Sequence, residues 1–285
     1  MSDPRVHFQA DRGKHIARLT LDRPDRDNAI DRAMAAEIVR AVDLVDDDDD
    51  LKVLVIDFRG DDLSAGWDVD EIWDVYTDAP GGAIKKHPSQ RARLIAQADN
   101  WWGPRGLYSR LLKCRKVTVL HAGGRCFETG LYLTLCSDIV VASDDARFGC
   151  PRWHNVGVDG DMSLLIAEVG LKRAKDLFYL GRSWTAAQAL EYGLVDKVES
   201  VDTAAAAVDS YAEMCASIMR DGIVSEKYAV FASLAKMGVD FSFAATAVVA
   251  ASLSNIHFQP GETNFLRDLR ESGREAALHA SREGL

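Results

Sequence analysis

Val117-Thr118-Val119-Leu120-His121-Ala122-Gly123-Gly124 is a short apolar run that ends on paired glycines. A helical pattern follows from about Thr129 to Cys136, and a second apolar run opens at Ile139-Val140-Val141-Ala142. Strand, helix and strand in that order, with both strands continuously apolar, predict parallel strands covered on both faces. The alternation extends outward. His15 to Leu21 alternates as a strand; Ile30, Met34, Ile38, Val39, Val42 and Val45 fall at helical spacing; Lys52 to Phe58 is a further buried strand. The pattern continues to about residue 200, and residues 203–285 then read as helical throughout, with breaks near Asp221-Gly222, Gly238 and Pro260-Gly261. Two regions therefore follow, a mixed α/β core over 1–200 and a helical region over 201–285.

The connections carry their own signals. The run Asp46 to Asp50 lacks the spaced ligands and central glycine of a calcium loop and reads as a solvated turn. Asp74 to about Pro88 is rich in Gly, Pro and charge and reads as a surface loop. Arg91 to about Leu112 is helical in period, with a break imposed at Gly103-Pro104.

Composition narrows the function. The 285 residues are 47% hydrophobic and 27% charged, enough for one large domain with an appended part. A formal net charge of -10 argues against nucleic acid and anionic membranes, because phosphate binding needs clustered Lys and Arg. The five cysteines, Cys114, Cys126, Cys136, Cys150 and Cys215, have no CxxC spacing and an odd count, which predicts free thiols in a reducing compartment. The first residues lack the apolar core of a signal peptide, and the most apolar window, Ala244 to Leu253, is too short to span a bilayer. The expectation is a cytoplasmic protein.

Chemistry concentrates after the strand at Ile139. Phe148-Gly149-Cys150-Pro151-Arg152-Trp153-His154-Asn155-Val156-Gly157-Val158-Asp159-Gly160-Asp161 gathers cationic, aromatic, imidazole and carboxylate groups just before a helical pattern at Met162. Loops leaving buried strands are where α/β proteins assemble reactive groups. Asp159 and Asp161 read either as acids or as helix N-caps, and His154 either as a base or as a structural histidine.

Several segments, in order, resemble the crotonase superfamily, the enoyl-CoA hydratase/isomerase family. They are Leu21-Asp22-Arg23-Pro24-Asp25-Arg26-Asp27-Asn28-Ala29, Leu63-Ser64-Ala65-Gly66-Trp67-Asp68 and Ala122-Gly123-Gly124-Arg125-Cys126-Phe127-Glu128-Thr129-Gly130. Ser137 to Ala142, Ala146 to Gly149 and Ala189-Leu190-Glu191-Tyr192-Gly193-Leu194-Val195 follow. The resemblance covers roughly residues 10–200. It implies an α/β spiral of ββα turns with a C-terminal helical trimerisation region, assembled as a homotrimer or homohexamer. It also implies an acyl-CoA substrate, with coenzyme A as part of the substrate and no metal or other cofactor. An oxyanion hole would be made by the backbone N–H groups of Trp67 and Thr129, with Arg26, Ala65, Asp68, Tyr132 and Arg152 at the substrate.

The departures from the family pattern are as telling. The glutamates that activate water in true hydratases are replaced by Tyr132 and Arg152, which disfavours simple hydration. Glu128 stands where the family has glycine and is expected to point away from a developing oxyanion. The stretch Trp153 to Asp161 is similar to that of 4-chlorobenzoyl-CoA dehalogenase, in which an aspartate attacks the ring and a tryptophan N–H holds it. That likeness makes Asp161, oriented by Trp153 and assisted by His154, the carboxylate for proton transfer or nucleophilic attack. It also has a gap, because Gly103 follows Trp101-Trp102 where that relative has a histidine. Isomerase or hydrolase chemistry is thereby favoured. Trp67, Trp73, Tyr76, Trp101, Trp102 and Trp153 suggest a bulky or ring-containing acyl group. Two other readings stay open: a cyclic β-diketone C–C hydrolase that does not use CoA, and a non-catalytic binding subunit of the same fold.

Overall fold

The computed structural model of the chain describes residues 5–71, 95–96, 98–151, 162–252, 265–273 and 275–277. Val6–Asp11 (β1) and Ile16–Leu21 (β2) form an antiparallel pair. Val53–Phe58 (β3), Val117–Ala122 (β4), Ile139–Ser143 (β6) and Lys197–Glu199 (β9) then add in parallel, giving a six-stranded sheet in the order β1-β2-β3-β4-β6-β9. Arg125–Phe127 (β5), Arg147–Gly149 (β7) and Trp184–Thr185 (β8) form a second, three-stranded sheet. The apolar runs over 53–58, 117–122 and 139–143 are thus the parallel strands their composition predicts. β1 is missing from the sequence reading although Val6, Phe8 and Ala10 alternate with polar residues, and the small sheet escapes it because strands of two or three residues are too short to carry a period.

Alternation along the strands sends the side chains to two apolar layers. Leu19, Leu54, Ile56, Leu120, Val140 and Ala142 join the main core. Val53, Val55, Val119 and Val141 face the other way and pack under Val208, Ala212 and Cys215 of helix α7 (Val201–Ala216). Each such Val, Leu or Ile contributes about 1.5–3 kcal/mol when fully buried. The first helix after the expected core boundary therefore covers the sheet's second face.

Helix α1 (Arg32–Asp47) starts where Asp31 accepts the Met34 N–H at 2.8 Å. Its acidic end differs from the solvated turn expected. Asp46 is buried and accepts the Arg115 backbone N–H at 2.7 Å and the Arg115 Nε–H at 2.9 Å, so the start of the run ties the helix to the chain entering β4. Leu107–Leu112 (α2) follows the predicted break at Gly103-Pro104. Thr129–Cys136 (α3) has the bounds its periodicity predicts. Met162–Val169 (α4), Leu171–Leu180 (α5) and Ala186–Tyr192 (α6) complete the core, α6 carrying a Thr185/Gln188 capping box and a Gly193 C-cap. Arg220–Lys236 (α8), Val239–Ser252 (α9) and Phe265–Ser272 (α10) follow. The break expected at Asp221-Gly222 falls earlier, at 217–219. Asp221 sits in the first turn of α8, where an acid suits the helix dipole. The expected loop from Asp74 to Pro88 and the break at Pro260-Gly261 lie outside the described residues.

Candidate active site

The site is built where the segment 63–68 runs between two others. On one side, Leu63 donates to the Gly123 carbonyl at 2.9 Å, Ser64 donates to Arg125 at 2.9 Å, and Phe127 donates to Ser64 at 3.0 Å. On the other, Ala65 donates to Asp27 at 2.9 Å, Ile30 donates to Gly66 at 2.8 Å, and Asp68 donates to Ile30 at 3.1 Å. The two oxyanion segments expected from the sequence are therefore direct neighbours, with the first-turn segment on the far side of 63–68.

Side chains lock this arrangement. Buried Asn28 donates from Nδ2 to the carbonyls of Arg59 and Asp62, both at 2.8 Å, and its Oδ1 accepts the Arg23 N–H at 2.7 Å. The Ser64 hydroxyl donates to the Asn28 carbonyl at 2.8 Å and accepts the Gly66 N–H at 3.1 Å. Arg23 reaches Asp68 at 2.8 Å and the Ala29 carbonyl at 2.8 Å. Arg125 forks onto Asp62, with contacts of 3.0 and 2.6 Å, and that hydrogen bond, reinforced by the carboxylate's charge, pushes the guanidinium pKa further up. Gly124 makes the approach feasible. Its φ is +52°, and a Cβ there would lie 2.0 Å from the Asp61 carbonyl oxygen.

The aim of the two amides follows from peptide planarity. In a trans peptide the C=O and the next N–H point in opposite directions. The Gly66 carbonyl is fixed toward Ile30, so the Trp67 N–H is turned to the side away from Ile30. Gly66, at φ +103°, supplies the backbone turn this needs. The Glu128 carbonyl accepts the Tyr132 N–H at 2.9 Å along α3, so the Thr129 N–H points out of the helix start. No side chain caps α3, its first turn holds no acid, and Thr129, Gly130 and Leu131 are buried. Among the described residues the Thr129 N–H makes no hydrogen bond. A helix start of this kind presents uncompensated positive potential in a low-dielectric setting.

The other expected residues fall as follows. Tyr132 is buried, 3.7 Å from Cys150 Sγ through its hydroxyl, and its ring lies 6.4 Å from Trp67 and 4.9 Å from Trp102. Trp101 stands 5.9 Å from Trp67 and Tyr108 5.2 Å from Tyr132, so the aromatics near the site form one cluster. Arg26 is at the surface beside Asp70, with 3.1 Å between them. Ala65 lies in the central segment, and the Asp68 carboxylate is held by Arg23 and by the Asp70 N–H at 2.9 Å. Glu128 is fully enclosed, at φ +41° and ψ -100°, a strained backbone for a residue with a side chain. Nothing in the sequence signals that conformation. Arg152, Trp153, His154, Asp159, Asp161, Trp73 and Tyr76 lie outside the described residues. Sequence reasoning missed Arg23, Asn28 and Ser64 as the bracket of the site, although all three stand in the motifs quoted for the resemblance.

Comparisons with known proteins give the chain's family and fold. The enoyl-CoA hydratase/isomerase family model matches residues 11–268. The chain belongs to that family. A trans-2-decenoyl-[acyl-carrier-protein] isomerase of Streptococcus mutans is 29% identical over 201 residues, 70% of this chain and 70% of its own length. A 4-chlorobenzoyl coenzyme A dehalogenase of an Arthrobacter species is 26% identical over 197 residues, 68% of this chain and 66% of its own. This family member thus spans roughly two thirds of the length of the curated relatives it matches. An enoyl-CoA hydratase of Mycobacterium smegmatis superposes with a TM-score of 0.82 at 24% identity, covering 98% of this chain and 93% of that one, which establishes the crotonase fold. Among the described residues no helix is long and apolar enough to cross a membrane.

Proposed function

We propose that the protein acts on an acyl-CoA thioester, polarising its carbonyl with the backbone N–H groups of Trp67 and Thr129. The carrying observation is the uncapped, buried start of α3 beside the 64–67 segment. Two amides aimed by their own peptide carbonyls need no reorganisation as negative charge develops on the thioester oxygen. The bracket of Arg23, Asn28 and Ser64 keeps them fixed. The names of the relatives, an acyl-carrier-protein isomerase and a coenzyme A dehalogenase among them, are consistent with thioester chemistry.

Asp161 is the acid or nucleophile in this reading, with Trp153 orienting it and His154 assisting. Its roles are shuttling a proton beside the thioester or attacking an acyl ring. Tyr132 and Arg152, standing at the two hydratase glutamate positions, favour isomerase or hydrolytic chemistry over hydration. The aromatic cluster of Trp67, Trp101, Trp102 and Tyr132 favours a bulky acyl group. Exposed Tyr228 and Val230 on α8, Met237 just after it and Phe241 on α9 offer apolar surface for a homotrimer or homohexamer.

A panel of aliphatic and aryl CoA thioesters, competed with free CoA, tests the assignment. The expected result is turnover of an aryl or branched thioester, inhibition by free CoA, and loss of turnover but not binding in Asp161→Asn. Turnover of a cyclic β-diketone without CoA competition supports the diketone hydrolase instead. An Asp161→Asn variant with unchanged turnover overturns the catalytic assignment.

A further inference from the structure

We infer that the Thr129 side-chain hydroxyl is a third hydrogen-bond donor to the substrate's thioester oxygen, beside the backbone N–H groups of Trp67 and Thr129. The inference rests on the two-amide reading above and adds a side-chain group to it. Thr129 is wholly buried, and among the described residues its Oγ1 makes no hydrogen bond. Buried hydroxyls are nearly always bonded, because one left without a partner gives up its hydration for nothing.

Other threonines of the fold solve this locally. Thr134, in the same helix, donates to the carbonyl of Gly130 at 2.9 Å, and Thr118 donates to Asp138 at 2.9 Å. Thr129 has no such outlet. The carbonyl four residues before it, that of Arg125, already accepts the Ser64 N–H at 2.9 Å. The hydroxyl is thus left at the first residue of α3, on the same α-carbon as an N–H that also makes no hydrogen bond among the described residues. Two donors on one residue can serve one oxygen.

The energetics say when the hydroxyl matters. A carbonyl oxygen polarised by two amides still accepts the hydroxyl in the bound ground state, which the absorption of a bound conjugated thioester reads. An enolate or tetrahedral oxyanion carries full charge and takes a third donor. The hydroxyl contributes more as charge develops, so its removal acts on kcat more than on KM.

The test uses the full-length protein and cinnamoyl-CoA, whose conjugated thioester absorbs at longer wavelength when its carbonyl is polarised. Thr129→Val keeps shape and backbone N–H but removes the donor; Thr129→Ser keeps the donor. The expected result is a red shift on binding that is at least about halved in Thr129→Val and retained in Thr129→Ser, with Kd changed no more than about threefold. Unliganded Thr129→Val should melt no lower than the parent, because it loses a group that was unbonded. Should it fail to fold, Thr129→Ala gives the same comparison. An undiminished red shift in the hydroxyl-less variant overturns the third donor and leaves the two amides standing. No red shift in the unmodified protein overturns both.

Discussion

The Ile30 backbone N–H donates to the Gly66 carbonyl at 2.8 Å, and through the shared peptide plane this bond turns the amide of Trp67. Arg23 and Asp68, 2.8 Å apart and both largely shielded, hold the same segment from its far end. Asp68→Ala removes that pair and the acceptor of the Asp70 N–H. It should cost about 3–5 kcal/mol, the range for breaking a buried pair, measured by urea unfolding with an unchanged slope. A loss under about 0.5 kcal/mol, the scatter of surface substitutions, would mean that the segment is held by its backbone bonds alone.

Gly124 is the tightest point of the site's frame. A Cβ there meets the Asp61 carbonyl oxygen at 2.0 Å, on a backbone at φ +52°. Gly124→Ala should destabilise by about 3 kcal/mol or more, combining overpacking with left-handed strain, and should lower the melting temperature by several degrees. A melting curve matching the parent's would show that the 61–62 loop yields without cost.

The α7 face of the sheet carries a polar chain that crosses the strands. Asp57 lies 3.1 Å from His121 Nδ1 and 2.7 Å from Arg18, and His121 Nε2 lies 3.1 Å from the Ser143 hydroxyl. Burial alone would raise the Asp57 pKa. The hydrogen bonds from His121 and the Phe58 N–H, with the charges of His121 and Arg18, outweigh it and hold the value below the ordinary 3.8. The folded-state pKa is thus depressed. The stability it confers is fully present above the unfolded value and lost as pH falls through the folded one. Between pH 5 and pH 2 the parent should lose more stability than Asp57→Asn, measured by urea titration across that range. Parallel pH curves for the two proteins would show that this carboxylate is not linked to folding.

All five cysteines are buried thiols outside any disulfide. Burial pushes the Cys114 thiol up to about 12 and the Cys126 thiol well above its usual range. Both are therefore protonated and inert at neutral pH. A chromogenic disulfide reagent should label neither in the native state and all five on denaturation. Fast native labelling of Cys126 would mean that the 123–127 segment opens.

Much of this architecture is legible from residue order, for physical reasons that differ along the chain. Val53 to Phe58 and Ile139 to Ser143 announce themselves because both faces are buried, and α3 because eight apolar-rich residues sit between a glycine pair and a polar stop. The small sheet of β5, β7 and β8 is invisible in the sequence because its strands are held by neighbours, not by their own pattern. The candidate site is legible as motifs and not as geometry. The Trp67 and Thr129 segments stand out as motifs, but the bonds that fix the carbonyls preceding these two residues belong to Ile30 and Tyr132, which carry no chemical signature. The enclosure and positive φ of Glu128 are tertiary consequences that residue type alone argues against.

The claim on which the rest depends is that two backbone amides meet on a thioester oxygen. Difference infrared spectroscopy with an acyl-CoA carrying a 13C-labelled thioester carbonyl reads this directly. The account predicts a carbonyl stretch shifted to lower wavenumber in the bound state, as two donors draw charge onto the oxygen. A bound stretch equal to that of the free thioester in water, or at higher wavenumber, would contradict it.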